Sequence, residues 1–334
     1  MLANSALDDS RASSLLQAAG DGRVFAGAYA VIMNHLDAHP TGPNMAESGK
    51  KLTIPDLQTK KRAGERVVLA SVTDYLMAQW AERGGVDVVA VGDSLGMITY
   101  GHPNTLPMTV DQMIEHTRAV RRGAANTLCI VAMPFGSYAT ADLAVHNALR
   151  FMKEAGAEAV KLQGGREKFD IIKAVADAGV PVMSHVGMCP HFVNSYGGFK
   201  LQGRTVEDAL AIVDNALAIE QAGAVGLEIE AVPPQVGKAV DDAVDIFTFS
   251  IGAGNAGCGQ LLLGADLIGA FDSFKPKFAK RYGNVSEVAT NAFAEYAAEV
   301  RNRTFPAEEH GYKMPAEEAE KLAAAIRESN KRAQ

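Results

Sequence analysis

The sequence is poor in the residues that hold small secreted domains together: three cysteines, Cys129, Cys189 and Cys258, stand among 334 residues. They lack metal-site spacing and are too few for a disulfide framework, so a reduced, cytoplasmic setting is expected. No stretch approaches the ~18 consecutive apolar residues of a membrane span. The N-terminus lacks a basic region followed by an apolar run, which argues against a secretory signal. Basic blocks are missing as well. A formal net charge of −7, with no aromatic-basic stripe, argues against nucleic acid as a partner. What is present, 48% apolar and 21% charged residues, suits a globular protein holding one large barrel with terminal additions or two ordinary domains.

Residues 1–46 read differently from the rest, with helix-compatible stretches at Ser13–Ala19 and Phe25–Leu36 broken by Gly and polar residues. They form an extension, either partly disordered or not native, and Met45 is a candidate start. Residues 47–284 are expected to form the main domain, and 285–334 a set of C-terminal helices that pack on a neighbouring subunit or fray at the surface. Thr53 and Pro55 predict a short helix to Gly64. Strand-like runs then recur at Val67–Val72, Val88–Val91, Thr127–Met133, Ala159–Leu162, Pro181–Val186, Val225–Glu230, Asp245–Ile251 and Asp266–Phe271. Helical stretches lie between them, including one at Gly259–Leu263. Eight strands alternating with helices predict an α/β fold, a closed (β/α)8 TIM barrel with extra terminal helices. Lys275–Tyr282 and Val285–Arg301 read as amphipathic helices, with Phe293 and Tyr296 on or near the buried stripe.

The run Val88–Val91 ends at Gly92, and Asp93 and Ser94 follow at once. A carboxylate just past a barrel strand stands at the face where such barrels carry out chemistry, although Asp-Ser is also a common helix start. Asp74, Gln163, His185 and Glu230 fall at or near the ends of other strands, so the set should converge on one rim. Asp266, at the start of the last predicted strand, is expected at the opposite face in a structural role. The glycines of IGAGN, 251–255, are wrongly spaced for a dinucleotide fingerprint. The glycine-rich NSYGGFKLQGR, 194–204, reads as a lid.

GDSLGM, GHPNTLPMT, HTRAVRRGA, PFGSYAT, NSYGGFKLQGR, IGAGN, PKFAKRY and PAEEH occur in unbroken order between Leu52 and His310. Together they resemble the ketopantoate (3-methyl-2-oxobutanoate) hydroxymethyltransferase family. The resemblance implies a barrel of the phosphoenolpyruvate-mutase/isocitrate-lyase-like type in a homo-oligomer, typically a decamer, with the helix at 53–64 beside the barrel entry. It implies an aldol-type addition of a one-carbon unit from methylenetetrahydrofolate to a 2-oxo acid, in pantothenate biosynthesis. It also implies Mg2+ or another divalent cation that holds the oxo acid. Asp93 corresponds to a metal-binding aspartate, Ser94 to a hydroxyl that meets the substrate carboxylate, and Lys161 to a neighbouring lysine. His185 matches a substrate-contacting histidine and Glu230 a general base.

Two positions depart from the family pattern. Ala132 stands where a second metal-binding aspartate belongs, and Gln163 replaces a glutamate of the metal shell. Alanine offers no ligand, glutamine offers one neutral oxygen, and magnesium favours anionic ones, so the metal site should be weakened. Glu228 lies two residues before Glu230 and, on a strand, faces the same way. A buried acid there needs a partner; the expectation is that Glu228 pairs with Lys161 or serves as a replacement ligand, and the alternative is a purely structural acid satisfied by backbone or water. The alternatives are a metal-poor 2-oxo acid lyase, hydratase or decarboxylase of the same superfamily, or a non-catalytic homologue that binds a small acid.

Overall fold

The computed structural model describes residues 51–332, and the expectations for the extension at 1–46 lie outside them. Eight parallel strands close into a barrel in sequential order. They are β1 (Val67–Ser71), β2 (Val88–Val91), β3 (Leu128–Ala132), β4 (Ala159–Lys161), β5 (Val182–Gly187), β6 (Gly226–Glu230), β7 (Phe247–Ile251) and β8 (Gly259–Leu263). Their Val- and Ile-rich sequences are apolar on both faces because each strand lies between barrel interior and helix layer. One side packs into a cluster with the surrounding helices that includes Val89, Val131, Val160, Leu227 and Ile229. The alternate residues point inward, where Leu69, Val88, Leu128, Ile130, Phe247 and Phe249 fill the lower part of the barrel.

The helices between strands start where short polar side chains can take the free N–H groups of a first turn. The Thr140 hydroxyl accepts from the Leu143 N–H and that of Thr205 from the Asp208 N–H. Asp74, grouped with the rim residues above, instead caps the helix Tyr75–Arg83 by accepting from the Met77 N–H at 2.9 Å.

The last strand is not where the sequence pattern put it. Gly259–Leu263, read as helical, is β8, and the supposed strand at Asp266–Phe271 begins inside a short helix, Gly264–Leu267. A five-residue run is too short to display a period, and the pairing that β1 and β7 both offer decides its form. The shift moves Asp266 to the C-terminal rim, not the opposite face. Lys275–Tyr282 is likewise not a helix but an irregular segment, in which Phe278 lies against Gly252. The helix Ile54–Ala63 is present, but Leu57 inserts among Val67, Val88 and Leu128, so it closes the base of the barrel and not its mouth. The helix Val285–Asn302 buries none of its residues among the described part of the chain. Phe293 is 74% and Tyr296 55% exposed, so the buried stripe expected for them is missing here.

Candidate active site

A cavity of about 500 Å³ opens at the C-terminal ends of the strands, and Asp93, Ser94, Lys161, Gln163, His185, Glu228 and Glu230 all border it. Strand register explains the convergence. His185 on β5 is paired with Glu228 on β6, and Gly187 with Glu230 one layer above. Ala132 on β3 is paired with Lys161 on β4. Side-chain alternation then sends all five side chains inward. The outer part of the cavity is apolar, walled by Met97, Ile98, Phe199, Leu201, Phe274 and Phe278. Phe199 and Leu201 come from the glycine-rich segment after β5, which therefore overhangs the mouth.

Two local devices hold the upper layer in place. Gly187 has φ +90°, and a Cβ there would lie 2.2 Å from the Glu230 carbonyl oxygen, so β5 can approach β6 this closely only with glycine. Ala231, directly after Glu230, is held at φ +46°, a region that residues with side chains seldom occupy. Its backbone is fastened on both sides: its N–H donates to the Ile251 carbonyl and its own carbonyl accepts from the Gln202 N–H.

At the deeper layer the Lys161 ammonium donates to Glu228 Oε2 at 2.6 Å, with both side chains largely buried. This is the pairing expected for an acid in the barrel interior. Burial opposes both charges, but the pair prevails: Lys161 holds the Glu228 carboxyl below its ordinary range, and Glu228 and Asp93 hold the Lys161 ammonium above its own. Glu230 has no lysine at ion-pair distance among the described residues. Burial, reinforced by the charge of Glu228, raises its carboxyl above the ordinary value, against the pull of His185. His185 Nε2 stands 3.2 Å from Glu230 Oε2 and 3.9 Å from Glu228 Oε1. Neither ring nitrogen makes a hydrogen bond of acceptable geometry among the described residues, although the imidazole is buried.

The other side of the cavity holds a network that sequence reasoning did not assemble. Asp93 Oδ2 accepts from His191 Nε2 at 2.6 Å and from the Gln163 side-chain amide at 3.3 Å. Gln163 returns its side-chain oxygen to the His191 backbone N–H at 2.9 Å. The Tyr138 hydroxyl lies 2.5 Å from His191 Nδ1 and accepts from the Gln163 backbone N–H at 3.1 Å. Every donor has an acceptor when Tyr138 donates to Nδ1 and Nε2–H donates to Asp93. Burial opposes the Asp93 charge, yet His191 and then Lys161 keep its carboxyl below the ordinary range. Ser94, beside it, makes no side-chain hydrogen bond among the described residues and is free for a ligand.

Residues 51–308 match the ketopantoate hydroxymethyltransferase family. The chain belongs to it. A relative from Methylibium petroleiphilum, 3-methyl-2-oxobutanoate hydroxymethyltransferase 1, is 48% identical over 82% of this chain and 93% of its own. The Thermus thermophilus 3-methyl-2-oxobutanoate hydroxymethyltransferase is 44% identical over 78% of this chain and 99% of its own. Among solved structures the barrel resembles phosphonopyruvate hydrolase (TM-score 0.52, 16% identity, 85% of this chain and 99% of that one). It also resembles 2,3-dimethylmalate lyase, named as a PEP mutase/isocitrate lyase superfamily member (TM-score 0.51, 13% identity, 82% and 99%). At such identities those likenesses concern the fold alone. A further structure of the hydrolase is described as its complex with oxalate and Mg++.

The metal corner that ketopantoate hydroxymethyltransferase resemblance implies does not fit an ion in this chain. Ala132 supplies no ligand, the Gln163 amide turns an N–H toward Asp93, and the same Asp93 oxygen carries His191. Among the described residues, one group has ligand atoms close enough to share an ion: His185, Glu228 and Glu230. There Glu228 already holds the Lys161 ammonium.

His191, Tyr138 and Asp266 are the site residues the sequence reading missed. His191 is in the short 3-10 helix Pro190–Phe192 after β5 and Tyr138 in a turn after β3, and nothing in their spacing announces that they meet. A histidine directly after Cys-Pro at the end of a strand was the available signal. Asp266 was missed through the misplaced last strand; it is 3% exposed, borders the cavity, and burial raises its carboxyl above the ordinary range against the opposing pull of Arg281.

Proposed function

We propose that the chain is a hydroxymethyltransferase that adds a one-carbon unit to a 2-oxo acid, with 3-methyl-2-oxobutanoate the nearest substrate and pantothenate biosynthesis the pathway. The observation that carries this reading is the convergence of Glu230, Lys161, His185 and Ser94 on one cavity of a ketopantoate hydroxymethyltransferase barrel. In this reading Glu230 is the base. A carboxylate raised by burial is a stronger proton acceptor than one in water, and the carbonyl-α proton is a weak acid that needs one. The proton passes from the α carbon to a Glu230 oxygen, and its electron pair becomes an enolate. The Lys161 ammonium, oriented by Glu228, faces the negative charge that develops on the carbonyl oxygen. Ser94 receives the substrate carboxylate, and His185 orients Glu230. Water first hydrolyses both C–N bonds of the donor's methylene group, releasing it as formaldehyde and leaving the two protons on the nitrogens of tetrahydrofolate; the enolate carbon then bonds to the formaldehyde carbon, and the resulting alkoxide takes the proton back from Glu230. The apolar outer cavity suits the aromatic part of such a donor and the alkyl side chain of the acid. No helix among the described residues is long and apolar enough to cross a membrane, and a cytoplasmic location accords with the reduced cysteines.

The test is α-proton exchange in deuterated buffer over a panel of 2-oxo acids, followed by mass spectrometry. Wild-type protein should exchange the α proton of 3-methyl-2-oxobutanoate, and Glu230→Gln should slow exchange by about 10²–10⁴-fold. Exchange that survives E230Q, or is missing across the panel despite proven binding, would remove the proposal and favour a binding protein.

A further inference from the structure

We infer that the hydrogen-bonded unit Tyr138–His191–Asp93–Gln163 takes the place of the divalent ion in this chain, and that the active cavity works without one. The inference rests on the reading above for the reaction, but not for the ion. Three observations carry it. First, both donors on Asp93 converge on one oxygen: His191 Nε2 at 2.6 Å and the Gln163 amide at 3.3 Å. A metal approaching that oxygen would have to displace them, leaving the ring of His191, 6% exposed, without its acceptor. Second, the remaining ligand positions are neutral or apolar. Ala132 ends in a methyl group, and the Gln163 side-chain oxygen is engaged by the His191 backbone N–H at 2.9 Å. A small hard cation needs anionic oxygens or retained waters, and this corner supplies one carboxylate, with two hydrogen bonds already on its Oδ2. Third, the positive charge a metal would bring is present in another form. Lys161 borders the cavity and places its side-chain nitrogen 2.6 Å from Glu228 Oε2. An ion placed instead among His185, Glu228 and Glu230 would stand beside that ammonium, 2.6 Å from Glu228, and meet its repulsion.

Two measurements on the full-length protein decide the matter. Metal content after dialysis, by inductively coupled plasma mass spectrometry, and Mn2+ titration followed by electron paramagnetic resonance do not depend on activity. The expected result is no stoichiometric ion and no Mn2+ signal of a bound site. Uptake of one ion per chain overturns the inference, whether E228Q abolishes it or not. In the exchange assay, chelator and added Mg2+ should each change the rate by less than about twofold. Exchange that chelator stops and Mg2+ restores overturns the inference but upholds the proposed reaction; no exchange under any condition defeats the reaction, while the ion measurements still judge the inference. The converse variant, A132D/Q163E/H191Q, should gain a bound Mn2+ signal. If it folds, as judged by circular dichroism, and gains none, these positions do not govern the ion and the assignment fails.

Discussion

Lys161 is the residue on which the interior electrostatics turn. It is the cation of a buried pair, and removing one member of such a pair leaves the other charged and desolvated. Lys161→Met should therefore cost about 3–5 kcal/mol of stability in urea unfolding, and K161M/E228L should recover most of the loss. The pH dependence follows from the same residues. Glu228 and Asp93 have carboxyls lowered in the folded state. Their stabilisation is complete above the ordinary carboxylate values and is lost as pH falls through the lowered folded ones. Glu230, raised from 4.5, acts oppositely, adding stability as pH falls through its raised value toward 4.5. Melting temperature against pH should thus fall less steeply on the acid side in E228Q than in wild type. The exchange reaction needs Glu230 ionised, so its rate should decline, as pH is lowered, around a midpoint above 4.5; a midpoint at or below that value would refute its assignment as the base.

At the scale of the element, the end of β5 and the end of β6 act as one unit. The hydrogen bond from the Met188 N–H to the Glu230 carbonyl, 2.9 Å, ties the start of the overhanging segment to the strand that carries the proposed base. Gly187→Ala adds a Cβ where the Glu230 carbonyl lies and imposes a residue with a side chain at φ +90°. The backbones must part, and a displacement of about 1 Å at a catalytic carboxylate can cost about 10²-fold in rate. Steady-state kinetics should show kcat lowered by that order, with far-ultraviolet circular dichroism unchanged. An unaltered kcat would mean that the spacing of these two strands does not position Glu230.

At the scale of the whole molecule, the helix Val285–Asn302 has no buried face among the described residues. Val288, Phe293, Tyr296 and Val300 of Val285–Asn302 are all exposed, an apolar stripe that a soluble monomer seldom presents to water. Covered by another copy of the chain, it accounts for the helix being amphipathic at all. Sedimentation velocity should show an assembly larger than a monomer, and Phe293→Asp should shift it toward smaller species without changing the circular dichroism spectrum. A monomer at micromolar concentration would exclude this role.

Barrel class, strand number and most of the rim were legible in the sequence, because an apolar run bounded by Gly or Asp marks a buried parallel strand without help from its neighbours. Period-two alternation likewise placed Glu228 beneath Glu230, and Ala132 and Gln163 announced an altered metal corner. Gly259–Leu263 defeated the same reasoning: five residues carry no period, and only the two strands beside it decide what it becomes. With that strand went the position of Asp266. His191 and Tyr138 were hidden for a different cause, since hydrogen bonds between connections depend on where distant chain segments meet and leave no pattern in either one. Local periodicity and residue chemistry thus determined which side chains would be available, and closure of the barrel decided which of them touch. Contact between residues as far apart in the chain as Asp93 and His191 is a property of the packed fold, not of either stretch of sequence.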